Sequence, residues 1–411
     1  MPVFQLQADL TLSDTAYGLG ASLFSIGYVM FEVPSNLMLY RVGARRWIAR
    51  IMISWGIATS LMIFAATEWQ FYALRFLVGA AEAGFAPGIL YIMTLWFPAA
   101  FRGRVTSLMF LASACSGLLG APLSGLILAG MEGVLGLRGW HWLFLSGGIP
   151  CVLLGVVMLR RLEDRIADAP WLSLSEKETL NRSIAQQNRQ IVGGHSLLGA
   201  LKAPGFLMLG LIYFLIQIGS YGLNFWAPHM IKMAGTSDPR LIGAMTAVPY
   251  ICGAITMLAL GRMADVSGRR HVYVTGTLLS ASAGFIGAGL FDTQPLALLL
   301  ALAVMGGGII AAIPAYWALP PKLLTGAGAA GGIALINTMG QFGGIVSPIM
   351  VGHIRDLSGS TTPALYAIAG LCLFAGLLAA LALPERLRHR EHRVHANGVG
   401  GAATAKSTTA A

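Results

Sequence analysis

The chain has 411 residues, 56% of them hydrophobic and 11% charged. Soluble chains carry about a quarter charged residues, so a soluble globular protein is excluded. The net charge of +10 does not define a nucleic-acid surface, because the basic residues fall in short loops between apolar runs, where they report topology.

Met1–Thr15 is polar, contains Asp9 and Asp14, and has no cleavable signal peptide. Eleven spanning runs follow, at about 16–39, 47–66, 70–97, 104–130, 140–159, 205–231, 240–261, 271–291, 295–318, 327–352 and 362–383. Five precede and six follow the polar stretch Arg160–Pro204. The reading is an all-α polytopic membrane protein: an N-terminal bundle over 1–159, a linker over 160–204, a C-terminal bundle over 205–383 and a basic, then disordered, tail over 384–411. In the linker, Ser175 with Glu178 has capping-box spacing and predicts the start of a surface helix. Cys115, Cys151, Cys252 and Cys372 all lie in apolar runs without metal-ligand spacing and read as small packing residues.

Of the 27 Lys and Arg residues, 22 fall on one side when alternate loops are tallied, which makes that side, with the C-terminus, cytoplasmic. Eleven spans then leave Met1 outside. The expectation is a missing first helix, from a late start or a truncated gene. An internal echo agrees: LYRVGARR (39–46) matches ADVSGRRH (264–271) at an offset of 225, the mark of a duplicated six-helix unit.

The run 70–97 carries Arg75 and Glu82 inside apolar sequence. Charges at membrane depth face a protein interior or an aqueous path. Seven residues bring a helix almost full circle, so the two share a face about 10 Å apart along the axis. That separation suits a guanidinium holding an anion and an acid carrying a proton, against the alternative that both charges only lock helices together. Gln217, Tyr221 and Asn224 share a face of the span 205–231 and predict a cavity wall or interhelical bonding. Glu32 reads as a second protonatable group or, in preference, as a carboxylate near the cytoplasmic end bonded to a helix terminus. Tyr316 and Trp317 read as closing the cavity from another helix or, in preference, as aromatic packing, and His389, His392 and His395 as a metal site or, in preference, part of a solvated or headgroup-facing basic tail. No P-loop, nucleophile elbow or zinc motif is present, so no enzyme and no cofactor is expected, and the proton gradient is the energy source.

Gly261-Arg-Met-Ala-Asp265-Val-Ser-Gly268-Arg269-Arg270 resembles the G-x-x-x-D-x-x-G-R-R loop of the major facilitator superfamily. There Gly261 would permit close helix contact and Gly268 a tight turn. FEVPSNLMLYRVGARRWIARI (31–51), TLWFPAAFRGR (94–104), RGWHWLFLSGGIP (138–150) and WLSLSEKE (171–178) are similar to the anion:cation symporter branch, specifically tartrate- and phthalate-type carboxylate permeases. The resemblance implies two pseudo-symmetric bundles with 11 of 12 helices present, in a bacterial inner membrane. It implies proton-coupled carriage of a small organic anion by a monomer. It makes Arg75 the anion clamp, Glu82 the proton-coupling acid, and Tyr28 and Asn337 substrate contacts. The family's first helix carries an acid–base pair with no counterpart here. Two rival expectations are an exporter of drugs or metabolites, against which Arg75 counts, and a non-transporting remnant.

Overall fold

Backbone polar groups in lipid must be satisfied internally, and helices do this within one segment. A computed structural model describes residues 3–189, 205–267, 270–320 and 329–381, and no strand occurs among the described residues. The first half comprises α1 (Val3–Leu10), α2 (Asp14–Val42), α3 (Ala44–Leu61), α4 (Glu68–Glu82), α5 (Phe85–Trp96), α6 (Ala99–Gly130) and α7 (Gly139–Arg161). Helix α8 (Leu174–Arg189) lies in the polar stretch. The second half comprises α9 (Phe206–Met233), α10 (Pro239–Ser267), α11 (Arg270–Leu290), α12 (Pro295–Trp317), α13 (Ala329–Ser358) and α14 (Thr362–Leu381). Nine described segments, α4 and α5 counting as one, are long and apolar enough to cross a membrane. Helices α6 and α13, of 32 and 30 residues, also exceed a bilayer's requirement.

Each half has its own apolar core. One gathers Leu6, Met62, Phe71 and Trp140; the other gathers Ile216, Phe285, Met305 and Ile368. The halves meet along a seam in which α2 runs antiparallel to α13. Ser22 Oγ donates to Ile345 O at 2.7 Å and Ser25 Oγ to Gly344 O at 3.2 Å. Helices α6 and α10 form a second junction, with Gly243 set against the carbonyl of Ala121 and Gly125 against that of Pro239.

Several sequence expectations change. The N-terminal stretch, read as polar and without an element, forms α1. Leu6 and Leu10 are buried, and Asp9 takes Arg138 Nη2 at 2.7 Å and Trp140 Nε1 at 2.8 Å. The run 70–97 is two helices: Ala83 leaves the helical region and Gly84 is left-handed at φ 87°. Pro87 explains the break, since in a continuous helix its ring would strike the Ala83 carbonyl. The cap of α8 is Ser173 with Glu176, two residues earlier than expected. Ser173 N donates to Glu176 Oε2 at 2.9 Å, and Glu176 N returns a bond to Ser173 Oγ at 3.3 Å.

The G-x-x-x-D segment is helical, because α10 runs on to Ser267. A Cβ added at Gly261 would meet no described atom within 4 Å, so no close helix contact is made there among the described residues. Gly268, Arg269 and the side chain of Asp265 lie outside the described residues, as do His389, His392 and His395; Arg270 opens α11. In the first-half copy, Arg45 ties the turn to the end of α7. Its backbone N–H donates to Asp164 Oδ1 at 2.8 Å, its Nε donates to Leu159 O at 2.7 Å, and Nη1 lies 3.6 Å from Glu163.

Candidate functional site

The site begins with how closely α4 lies on α2. A Cβ added at Gly79 would fall 1.9 Å from the Phe24 carbonyl oxygen, and one at Gly27 2.4 Å from that of Phe76. Small residues on both helices thus permit backbone contact in lipid, where van der Waals fit drives association. The contact sets Arg75 beside α2: its Nε donates to Gly20 O at 3.3 Å, and its guanidinium carbon lies 5.1 Å from the Phe24 ring centre. The terminal nitrogens of Arg75 meet no acceptor among the described residues. A half-buried guanidinium therefore keeps its paired donor edge for something outside the protein's own bonding.

Glu82 ends α4 on the same side. No ion pair within 4 Å joins it to Arg75 among the described residues, yet each charge acts on the other. Seven residues of helix set the two positions about 10 Å apart along the axis. The helix break places Glu82 at the negative end of the α4 dipole, where a carboxylate calls for a counter-charge or a proton. Glu82 also acts on Tyr28 of α2 and, across the seam, on Tyr221 of α9.

The second half supplies the facing wall. Gln217 packs against Gly340 and Gly343 of α13. Tyr221 donates to Gln341 Oε1 at 3.1 Å, and its ring lies over Gly344 with Ser25 alongside. Asn224 is exposed, donates to Ser220 O at 2.8 Å and accepts from the hydroxyl of Tyr250, whose ring abuts Gly117 of α6. The three positions lie three and four residues apart on one face of α9; of them Tyr221 meets the other half, beside Ser25, while Gln217 packs on α13 and Asn224 bonds Tyr250 of α10.

Asn337 is in the seam, with Nδ2 donating to Glu32 Oε1 at 3.4 Å. Among the described residues Glu32 is bonded to Asn337 and to no helix terminus near the Arg41 end. It is 7% exposed and faces the opposite bundle. Tyr316 is buried in aromatic packing, as expected, stacked on Tyr213 at 5.1 Å and bonded to Leu209 O at 2.8 Å. Tyr17, Phe71, Phe225 and Trp226 cluster toward the Asp14 end, with Tyr17 6.3–6.4 Å from each of the others. Sequence reasoning missed Tyr17, Ser25, Tyr250 and Gln341. Only Gln341 left a usable signal, one helical turn beyond Asn337. No group of three or more His, Cys, Asp or Glu placed to hold a metal occurs among the described residues.

Two helical bundles with polar and charged side chains converging where they meet define a multi-pass membrane carrier. The family profile of the Major Facilitator Superfamily matches residues 1–238 and 209–406, and the chain belongs to that family. It is a membrane transporter, and transporters of this family are not enzymes. It is 43% identical over 91% of its length to a protein of Agrobacterium vitis named "Putative tartrate transporter", covering 83% of that protein. It is 39% identical over 94% of its length to a protein of Pseudomonas putida named "Putative metabolite transport protein NicT", covering 88% of it. A quinolone resistance transporter of Acinetobacter baumannii is 38% identical over 94% of the chain, with 89% of that protein covered. The fold is also that of a crystallised D-xylose-proton symporter, with a TM-score of 0.67 at 17% identity, over 89% of this chain and 87% of that one.

Proposed function

We propose that this protein carries a small organic anion of the carboxylate class, together with protons, by alternating access in a bacterial inner membrane. The observation that carries the reading is Arg75, half-buried between α4 and α2, whose terminal nitrogens meet no acceptor among the described residues. A guanidinium stays charged and offers two parallel donors that match a carboxylate. Glu82 takes and releases the coupling proton, its charge weighed against that of Arg75. Tyr28, Gln217, Tyr221, Asn224 and Asn337 orient the anion from both walls. The relatives named for tartrate and for a metabolite favour import of such an anion, and the basic loops favour a cytoplasmic C-terminus. The working unit is a monomer without a cofactor.

The test is uptake into proteoliposomes with an imposed proton gradient, using tartrate, phthalate and sugar acids in turn. Accumulation of one of them, lost in Glu82→Gln while exchange persists, and binding lost in Arg75→Ala, is the expected pattern. Unchanged accumulation by Glu82→Gln would refute the coupling role. A second reading, export of a drug or metabolite, is favoured by the relative named for quinolone resistance. Proton-driven efflux from inverted vesicles, insensitive to Arg75→Ala, would establish that reading in its place.

A further inference from the structure

Glu32 is a carboxylate at membrane depth that the scheme above does not use. It lies in the α2–α13 seam, 7% exposed, and its described hydrogen bond comes from Asn337 Nδ2 of the opposite bundle at 3.4 Å. Among the described residues no cation pairs with it. Two positions further on, Pro34 cannot donate to the carbonyl of Met30, so the helix there is less constrained than its neighbours.

The groups around Glu32 are few. Its own helix supplies Tyr28, and α4 supplies Arg75 and Glu82 further along the seam. Helix α9 supplies Tyr213, which senses the Glu32 charge, and Tyr221. Helix α13 presents the amides Asn337 and Gln341. The only titratable side chain on α5 is Tyr91, and α3 brings Arg50 to the groove beside Ser35 and Met38.

We infer that Glu32 is a second proton-binding site, distinct from Glu82, and that its proton holds the two bundles together at Asn337. As a neutral acid, Glu32 donates its O–H to Asn337 Oδ1 and accepts from Asn337 Nδ2, a closed pair of hydrogen bonds across the seam. As a carboxylate it can only accept, so one of the two bonds is lost and a charge stays buried without a counter-ion, an expensive arrangement. Loss of the proton therefore favours parting of the bundles at this level, where water reaches the anion and takes the proton away. By linkage, separation of the bundles releases the proton in turn. The inference rests on the transport reading for its purpose: one protonated group near the anion, another timing the seam.

The test needs no substrate, so its failure and that of the anion-transport reading are separable. Spin labels at Leu37 and Met263, both exposed and in opposite bundles, report the gap at the Arg41 end by pulsed EPR of full-length protein in nanodiscs. The four native cysteines are first replaced. The expected result is a wild-type distance distribution that lengthens from acidic to alkaline buffer. Glu32→Gln, whose amide keeps both bonds, stays at the short distribution throughout. Asn337→Leu, which removes them, stays at the long one. Misfolding cannot produce opposite outcomes in the two variants. A wild-type distribution indifferent to pH overturns the inference. So does a response that survives in both variants, or one that Glu82→Gln abolishes and Glu32→Gln leaves intact.

Discussion

Arg355 Nη1 meets Asp14 Oδ1 at 2.6 Å, joining the last turn of α13 to the first turn of α2 and so one bundle to the other. The same junction brings the Asp356 carboxylate onto the backbone N–H groups of Asp14 and Thr15, at 3.2 and 2.8 Å. Those groups are orphan donors at a helix start, and a carboxylate there also meets the positive end of the dipole. The side chains of Arg355 and Asp14 are only 11% and 23% exposed, and the guanidinium lies 5.2 Å from the Trp226 ring centre. This end of the seam is therefore latched by charge.

Asp14→Asn takes the direct partner from Arg355 and leaves Asp356 as its nearby counter-charge, with an expected stability loss of about 2 kcal/mol, the worth of a charge-assisted hydrogen bond. Thermal unfolding in detergent should show it. Cross-linking between the bundles at the Asp14 end should fall in parallel. A variant as stable and as readily cross-linked as wild type would mean that the pair does not hold the seam.

Arg75→Ala should weaken carboxylate binding by at least about 100-fold, the worth of two charge-assisted hydrogen bonds at about 1.5 kcal/mol or more each. Arg75→Lys keeps the charge but not the fork, and should fall between. A thermal-shift titration with dicarboxylates measures both. Equal affinity in Arg75→Lys and wild type would argue for a point charge in place of a bidentate clamp.

Gly79→Ala places a methyl group 1.9 Å from the Phe24 carbonyl oxygen, so α4 must move off α2. Overpacking of this kind costs about 2 kcal/mol. Because the same contact seats Arg75, anion affinity should drop along with the unfolding temperature. Leu77→Ala, on a 46% exposed position of the same helix, serves as the comparison and should leave affinity unchanged.

The hydrogen bond from the Ser173 side chain, seconded by that from its backbone, holds the Glu176 carboxyl below the usual carboxylate range. A group held low contributes to α8 at every pH above that range, and the contribution is lost as pH falls through its folded value. Amide exchange at Leu174–Thr179 should thus stay slow into mild acid and quicken only below it. Glu176→Gln should exchange faster at neutral pH, with no further acid step from this group.

Continuous apolar runs of about 20 residues determined that the chain is helical and crosses a membrane, since a helix satisfies its backbone within one such segment. Periodicity was equally legible: Gln217, Tyr221 and Asn224 share a face because the helix repeat is the same wherever the helix sits. The same holds for Arg75 and Glu82, whereas the break after Glu82, where Pro87 follows, reads in sequence as part of one continuous run. Tertiary structure decided what one-dimensional reading has no access to, namely which residue lies opposite which. Glu32 reads in sequence as a carboxylate near the arginine-rich end and is in fact set against Asn337, 305 positions away. Arg355 is half of a latch with Asp14, 341 positions away, which no sequence spacing suggests. The antiparallel register of α2 on α13 creates both pairs, and that register comes from side-chain fit between bundles distant in sequence.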